Sequence, residues 1–225
     1  MIPITRADEE LFGTLVMAAR FGRIGTVVSH LAERYEKEWD DPLAGFPYAL
    51  SMLAALQSGR EDLQEHFDYT EIVETLSDLL YNRPDHWLGR YLRIHVRTML
   101  PADAPEHRGY IAAERARAAE DAAELIERQD AAGWQPWFAC AHLVAARLAW
   151  ESDRDEDRVA ALVTAAAART AGPVGFHSLG SIACEVFLWY RHESGLPHQD
   201  TVAAMTDALF PDQPAVRRIR ADSAP

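Results

Sequence analysis

Apolar residues recur at spacings of three and four along almost the entire chain, and no stretch alternates as a half-buried strand would. That periodicity leaves an all-α fold. Turn residues mark the breaks between the runs: Gly22, Pro42, Ser58-Gly59, Pro84, Pro101, Gly133 and Gly172-Pro173. Alanine, the best helix former, fills the runs, while glycine and proline number only 12 each. The pattern predicts ten helices, over 8–21, 24–39, 46–57, 70–83, 87–100, 107–130, 136–151, 155–170, 176–193 and 198–210. Asp8 and Asp155 stand where N-caps belong. In the first helix Leu11, Leu15 and Ala18 form the expected inner stripe. In the sixth, Ala112, Ala116, Ala119, Ala123 and Ile126 do so, with Arg117–Asp121 and Glu124–Arg128 as ion pairs on the outer face. Residues 1–210 read as one domain, and 211–225 as a polar, frayed tail.

Helices of this length joined by short loops make antiparallel hairpins. Some self-similarity is present. Ala139-Cys140 aligns with Ala183-Cys184, Glu151-Ser152 with Glu193-Ser194, and the run from Val159 to Leu162 with that from Val202 to Met205. The offsets are 44, 42 and 43 residues. Ile72, Leu76, Leu79 and Pro84 follow spacings of 4, 3 and 5, and Leu11, Leu15, Ala18, Gly22, Ile24, Val27 and Leu31 form a helix–glycine–helix pattern. In these features the chain resembles the tetratricopeptide family. The resemblance implies stacked antiparallel hairpins in a right-handed α-solenoid that binds proteins or peptides. A compact orthogonal bundle is the alternative architecture.

Charge narrows the functions. Lys+Arg 22 against Asp+Glu 35 leaves a net charge of −13. Phosphate backbones and anionic lipid both require clustered basic residues, so neither nucleic acid nor membrane is an expected partner. Asp8, Glu9 and Glu10 stand where a signal peptide would be apolar, and no apolar run has membrane-spanning length; a cytoplasmic location is expected. Lys37 is the only lysine among many arginines, which with the alanine content points to a high-GC bacterial genome.

Catalytic patterns are scarce. None of the nine histidines follows a Glu by three positions, as carboxylate-bridged metal sites in helices require. No phosphate loop or nucleophile elbow occurs. His30 and Glu33 form an ordinary polar pair, and His192 and His198 flank a turn without thiols nearby. Cys140 and Cys184 sit in apolar runs, where cysteine acts as a small hydrophobe. No catalytic residue, metal ligand or cofactor is therefore expected.

One pattern suggests binding. Arg90, Arg93 and Arg97 share a helical face, with Arg83, His86 and Trp87 just before them. Guanidinium groups grip carboxylates through two parallel hydrogen bonds. This stripe predicts a groove for a protein or an acidic peptide segment; the competing reading pairs the arginines with acids on the flanking helices. Trp87 and Tyr91, Trp134 and Trp137, and Phe187, Trp189 and Tyr190 belong either to helix crossings or to such a groove. The function expected is a non-catalytic scaffold or adaptor. The alternative is a helical enzyme or accessory subunit of a bacterial biosynthetic pathway, with a small-molecule pocket.

Overall fold

The computed structural model describes residues 6–38, 41, 44–57, 68–100, 108–128, 139–168, 180–192 and 195–222. Among them the chain forms eleven α-helices and no strand. These are α1 (Arg6–Arg20), α2 (Ile24–Lys37), α3 (Gly45–Gln57), α4 (Tyr69–Asn82), α5 (Trp87–Met99) and α6 (Arg108–Glu127). They are followed by α7 (Ala139–Asp153), α8 (Glu156–Ala167), α9 (Gly180–His192), α10 (Gln199–Leu209) and α11 (Pro214–Asp222). None of the described helices is long and apolar enough to cross a membrane. Trp134, Trp137, the Ser58-Gly59 and Gly172-Pro173 breaks and the Glu193-Ser194 pair lie outside the described residues.

Local chemistry sets the helix ends. Gly22 adopts φ +72° after α1. Its N–H donates to the Ala19 carbonyl at 3.0 Å, and that of Arg23 to the Ala18 carbonyl at 2.8 Å. This is a Schellman closure, and the left-handed residue it needs favours glycine. Asp155 caps α8 as expected, accepting from the Arg158 N–H at 3.0 Å. Asp68 caps α4 through the Thr70 N–H at 2.9 Å. Asp8 does not cap α1, which already runs through it.

The contacts form two compact units, Met1–Ile111 and Ala112–Pro225. In the first, α3 is the hub. Every described residue from Ala44 to Leu56 except Pro47 is buried, because a helix apolar on all sides must be enclosed on all sides. It packs against α1, α2 and α4, and α4 packs against α5. In the second unit α7 pairs with α8 and α9 with α10, while α7 also packs on α9 and α8 on α10. The aligned positions Cys140 and Cys184, and Val159 and Val202, are all buried. Arg147 ties three elements of this unit together. It meets Glu151 at 2.7 Å and lies over the Trp189 ring at 3.1 Å, while Glu151 also meets Arg115 of α6 at 3.5 Å.

Three expectations shift. The inner stripe of α1 is Phe12, Leu15 and Ala19, one step round from the predicted face, because the Phe12 ring takes the inward position. On α6 the inner face runs through Ile111, Glu114, Ala118, Asp121, Ala122 and Leu125, while Ala112, Ala116 and Ala123 are exposed. Arg117 accordingly pairs with Glu114 rather than Asp121, while Arg128 stands 4.0 Å from Glu124. An alanine-rich helix offers little contrast between its sides, and the heptad of Ile111, Ala118 and Leu125 seats larger side chains than an all-alanine stripe would. Finally, 211–225 is not merely a frayed tail: α11 forms there, with Pro214 in its first turn and Val216 fully buried.

Candidate functional site

Three helices of the first unit converge on a cleft of about 260 Å³. Ala32, Tyr35 and Glu36 come from α2, Tyr48 from α3, and Glu71, Glu74, Thr75 and Asp78 from α4. The α4 residues follow the spacing i, i+3, i+4, i+7, which places them on one face, while Ile72, Leu76 and Leu79 fill the core behind. Tyr35 and Tyr48 stack with ring centroids 5.8 Å apart and an interplanar angle of 30°. The Tyr35 hydroxyl donates to Asp78 Oδ2 at 3.1 Å, and the Tyr48 hydroxyl to Glu71 Oε1 at 2.6 Å. Gly45 makes the approach possible: a Cβ there would stand 3.0 Å from Tyr35 Cε2 and 3.1 Å from Thr75 Cγ2. Burial, reinforced by Asp78, pushes the Tyr35 phenol up to about 12. Burial, with Glu71 next, pushes Tyr48 upward as well.

Among the described residues no basic side chain lines this cleft. Glu71, Glu74 and Asp78 of α4 therefore share the cleft with Glu36 of α2, and like charges at helical i, i+3 and i+4 spacing cost about 0.2–0.5 kcal/mol per pair. Among the described residues no three His, Cys, Asp or Glu side chains are arranged to hold a metal ion. The arrangement suits an extended organic cation, which the phenol rings meet by cation–π attraction and the carboxylates by charge-assisted hydrogen bonds.

The arginine stripe lies elsewhere in the same unit. Arg90 and Arg97 are only 7% and 5% exposed. Arg90 donates to the Pro84 carbonyl at 3.1 Å and lies over Trp87 at 5.6 Å. Arg93, half-buried, donates to Ser77 Oγ of α4 at 3.2 Å. Arg83 stands 3.4 Å from Asp85. His86 is the N-cap of α5, its Nδ1 accepting from the Gly89 N–H at 3.0 Å and its ring 4.7 Å from Phe46. Trp87 and Tyr91 are buried. Of the side chains that sequence alone grouped as one accessible groove, His86, Trp87, Arg90 and Arg97 are thus buried, leaving only Arg83 and Arg93 with appreciable exposure.

Other candidates behave as structural groups. Cys140 and Cys184 are buried free thiols. Burial, with Glu185 next, pushes Cys184 up to about 12 and keeps it protonated at neutral pH. Phe187 and Tyr190 lie in the core, and Trp189 lies beneath Arg147. His30 is exposed, and Glu33 is 3.5 Å from Lys37.

Fold and site together define an all-helical protein with an acidic, tyrosine-lined cleft. Neither a protein-family model, nor a curated protein, nor a solved structure matches the chain.

Proposed function

We propose that the protein is a non-catalytic binding module that engages proteins or peptides, and that the cleft between α2, α3 and α4 receives a basic side chain of the partner. The observation that carries this reading is the stacked pair of Tyr35 and Tyr48, hydrogen-bonded to Asp78 and Glu71, in a cleft lined among the described residues by four carboxylates and no base. Its 260 Å³ falls below the roughly 300–1,000 Å³ of small-molecule pockets and suits one side chain. An incoming guanidinium or ammonium relieves the repulsion among the carboxylates, and the exchange of like-charge contacts for ion pairs drives association. The tetratricopeptide-like stacking of hairpins belongs to the same proposal, supported by the packing of α7 on α9 and α8 on α10.

Calorimetric titration with an arginine-bearing peptide and its glutamate counterpart tests the reading. The arginine peptide is expected to bind, and the glutamate peptide is not. Replacing both Glu74 by Gln and Asp78 by Asn should weaken binding by about tenfold or more, roughly 1.4 kcal/mol. Both residues are exposed, so folding should be little changed. Equal affinity of the variant and the parent protein would sink the proposal.

A further inference from the structure

The turn between α4 and α5 holds a histidine where helices ordinarily place Asn, Asp, Ser or Thr. His86 is the N-cap of α5, and its Nδ1 accepts from the Gly89 N–H at 3.0 Å. That bond fixes the protonation state of the ring. A nitrogen that accepts carries no proton, so the imidazole is neutral and its proton sits on Nε2. The residue is 6% exposed, and its ring centroid lies 4.7 Å from that of Phe46 of α3. Gly89 is fitted to this contact. A Cβ there would stand 3.0 Å from His86 Nδ1 and 2.8 Å from Leu79 Cδ2 of α4, so glycine lets the imidazole reach the N–H while α5 presses on α4.

The charges around the ring do not favour a second proton. α3 carries no charged residue and meets the ring through Phe46. α4 approaches through Leu79, while its acids Glu71, Glu74 and Asp78 line the tyrosine cleft. In the turn itself Asp85 stands 3.4 Å from Arg83, whose carbonyl accepts from the His86 N–H at 3.0 Å. Arg90, one helical turn further on, donates to the Pro84 carbonyl and lies over Trp87. The start of α5 is also the positive end of its dipole.

We propose that His86 is an acid-sensitive latch, which joins α3, α4 and α5 at neutral pH and releases as the pH falls below about 6.5, where an ordinary histidine ionises. A proton on Nδ1 takes the lone pair that Gly89 uses. The N–H loses its acceptor, and a buried cation is left at the positive end of a helix. The unfolded chain meets none of these costs and takes up the proton freely. Above about 6.5 both states are neutral and the cap contributes in full. Below it the unfolded chain binds more protons than the folded one, so stability falls with the pH. The latch acts on the packing of the first unit and does not depend on what the tyrosine cleft binds.

Thermal melts of the full chain and of His86→Asn, a cap that does not titrate, test this between pH 7.5 and 5.5. The Tm of the parent should fall by about 2–4 °C more than that of the variant, the shift that one cap makes in a chain of this length. His95 and His142, which are also buried, titrate in both proteins, so the difference between the profiles reports His86. Imidazole nitrogen NMR of the parent supplies a second measurement that needs no variant to fold. His86 should show a bare Nδ1 at pH 7.5 and should take up its second proton at lower pH than the same residue in urea. Parallel melting profiles, or a His86 ring that is doubly protonated at pH 7 in the folded chain, would overturn the proposal.

Discussion

Tyr35 and Tyr48 tie α2 and α3 to α4 through their hydroxyl protons, and this links local stability to alkaline pH. A free tyrosine ionises near pH 10, whereas Tyr35 in the fold does so at about 12. Below pH 10 both folded and unfolded chains keep the proton, and the hydrogen bond to Asp78 contributes in full. Between about 10 and 12 the unfolded chain releases its proton while the folded chain retains it. Unfolding then gains a proton-release term, and stability falls as pH rises through that window. Thermal melts over that range should show a declining Tm, and tyrosinate absorbance should reveal a late-ionising group that Tyr35→Phe removes. The sequence did contain a signal for this site: Glu71, Glu74 and Asp78 repeat the 3-and-4 spacing that drew attention to Arg90, Arg93 and Arg97. The tyrosines were hidden, because Tyr35 reads as a member of an apolar stripe and its partner Asp78 is 43 residues away.

Individual helices were well marked at their ends and poorly marked in their rotation. Asp155, Gly22 and Pro84 act through local backbone chemistry, so capping and breaking are legible in a few neighbouring residues. Which side of a helix faces inward depends on the size of groups it meets, and α6 shows the consequence. Its outer alanines and inner alanines are chemically identical. Ala118 is fully buried and Ala116 is exposed. Ala118→Leu should therefore overpack the interior and cost about 1–3 kcal/mol. Ala116→Leu should change stability by about 0.5 kcal/mol or less, as an exposed position does. Denaturant melts of the two variants check the rotation directly; equal effects would contradict it. The same inner face carries Glu114 and Asp121, 2% and 4% exposed, which a hydrophobicity pattern assigns to solvent.

At the scale of the molecule, the net charge of −13 is shared nearly evenly, since each compact unit holds eleven of the 22 basic residues. Both units therefore fold against their own repulsion. Screening lengths fall from about 30 Å at 0.01 M salt to about 3 Å at 1 M. Adding a non-denaturing salt should raise the Tm of the protein, with most of the gain at low ionic strength. A Tm that falls with added sodium chloride would show that attractive ion pairs such as Arg147–Glu151 outweigh the global repulsion. The same salt series should weaken the binding of a basic peptide at the tyrosine cleft, so protein and complex respond with opposite sign.

Periodicity, caps and breaks determined the all-helical class, most helix boundaries and the placement of Cys140, Cys184, Val159 and Val202 inside apolar runs. These follow from interactions between residues a few positions apart, which a linear sequence displays. Tertiary structure alone decided which arginines are buried, which face of α6 turns inward, and that Tyr35, Tyr48, Glu71 and Asp78 meet. Those outcomes depend on contacts across tens of residues and on the competition among side chains for interior volume. A helical repeat specifies a stripe; only the neighbour packed against it determines whether that stripe becomes core, cleft or surface.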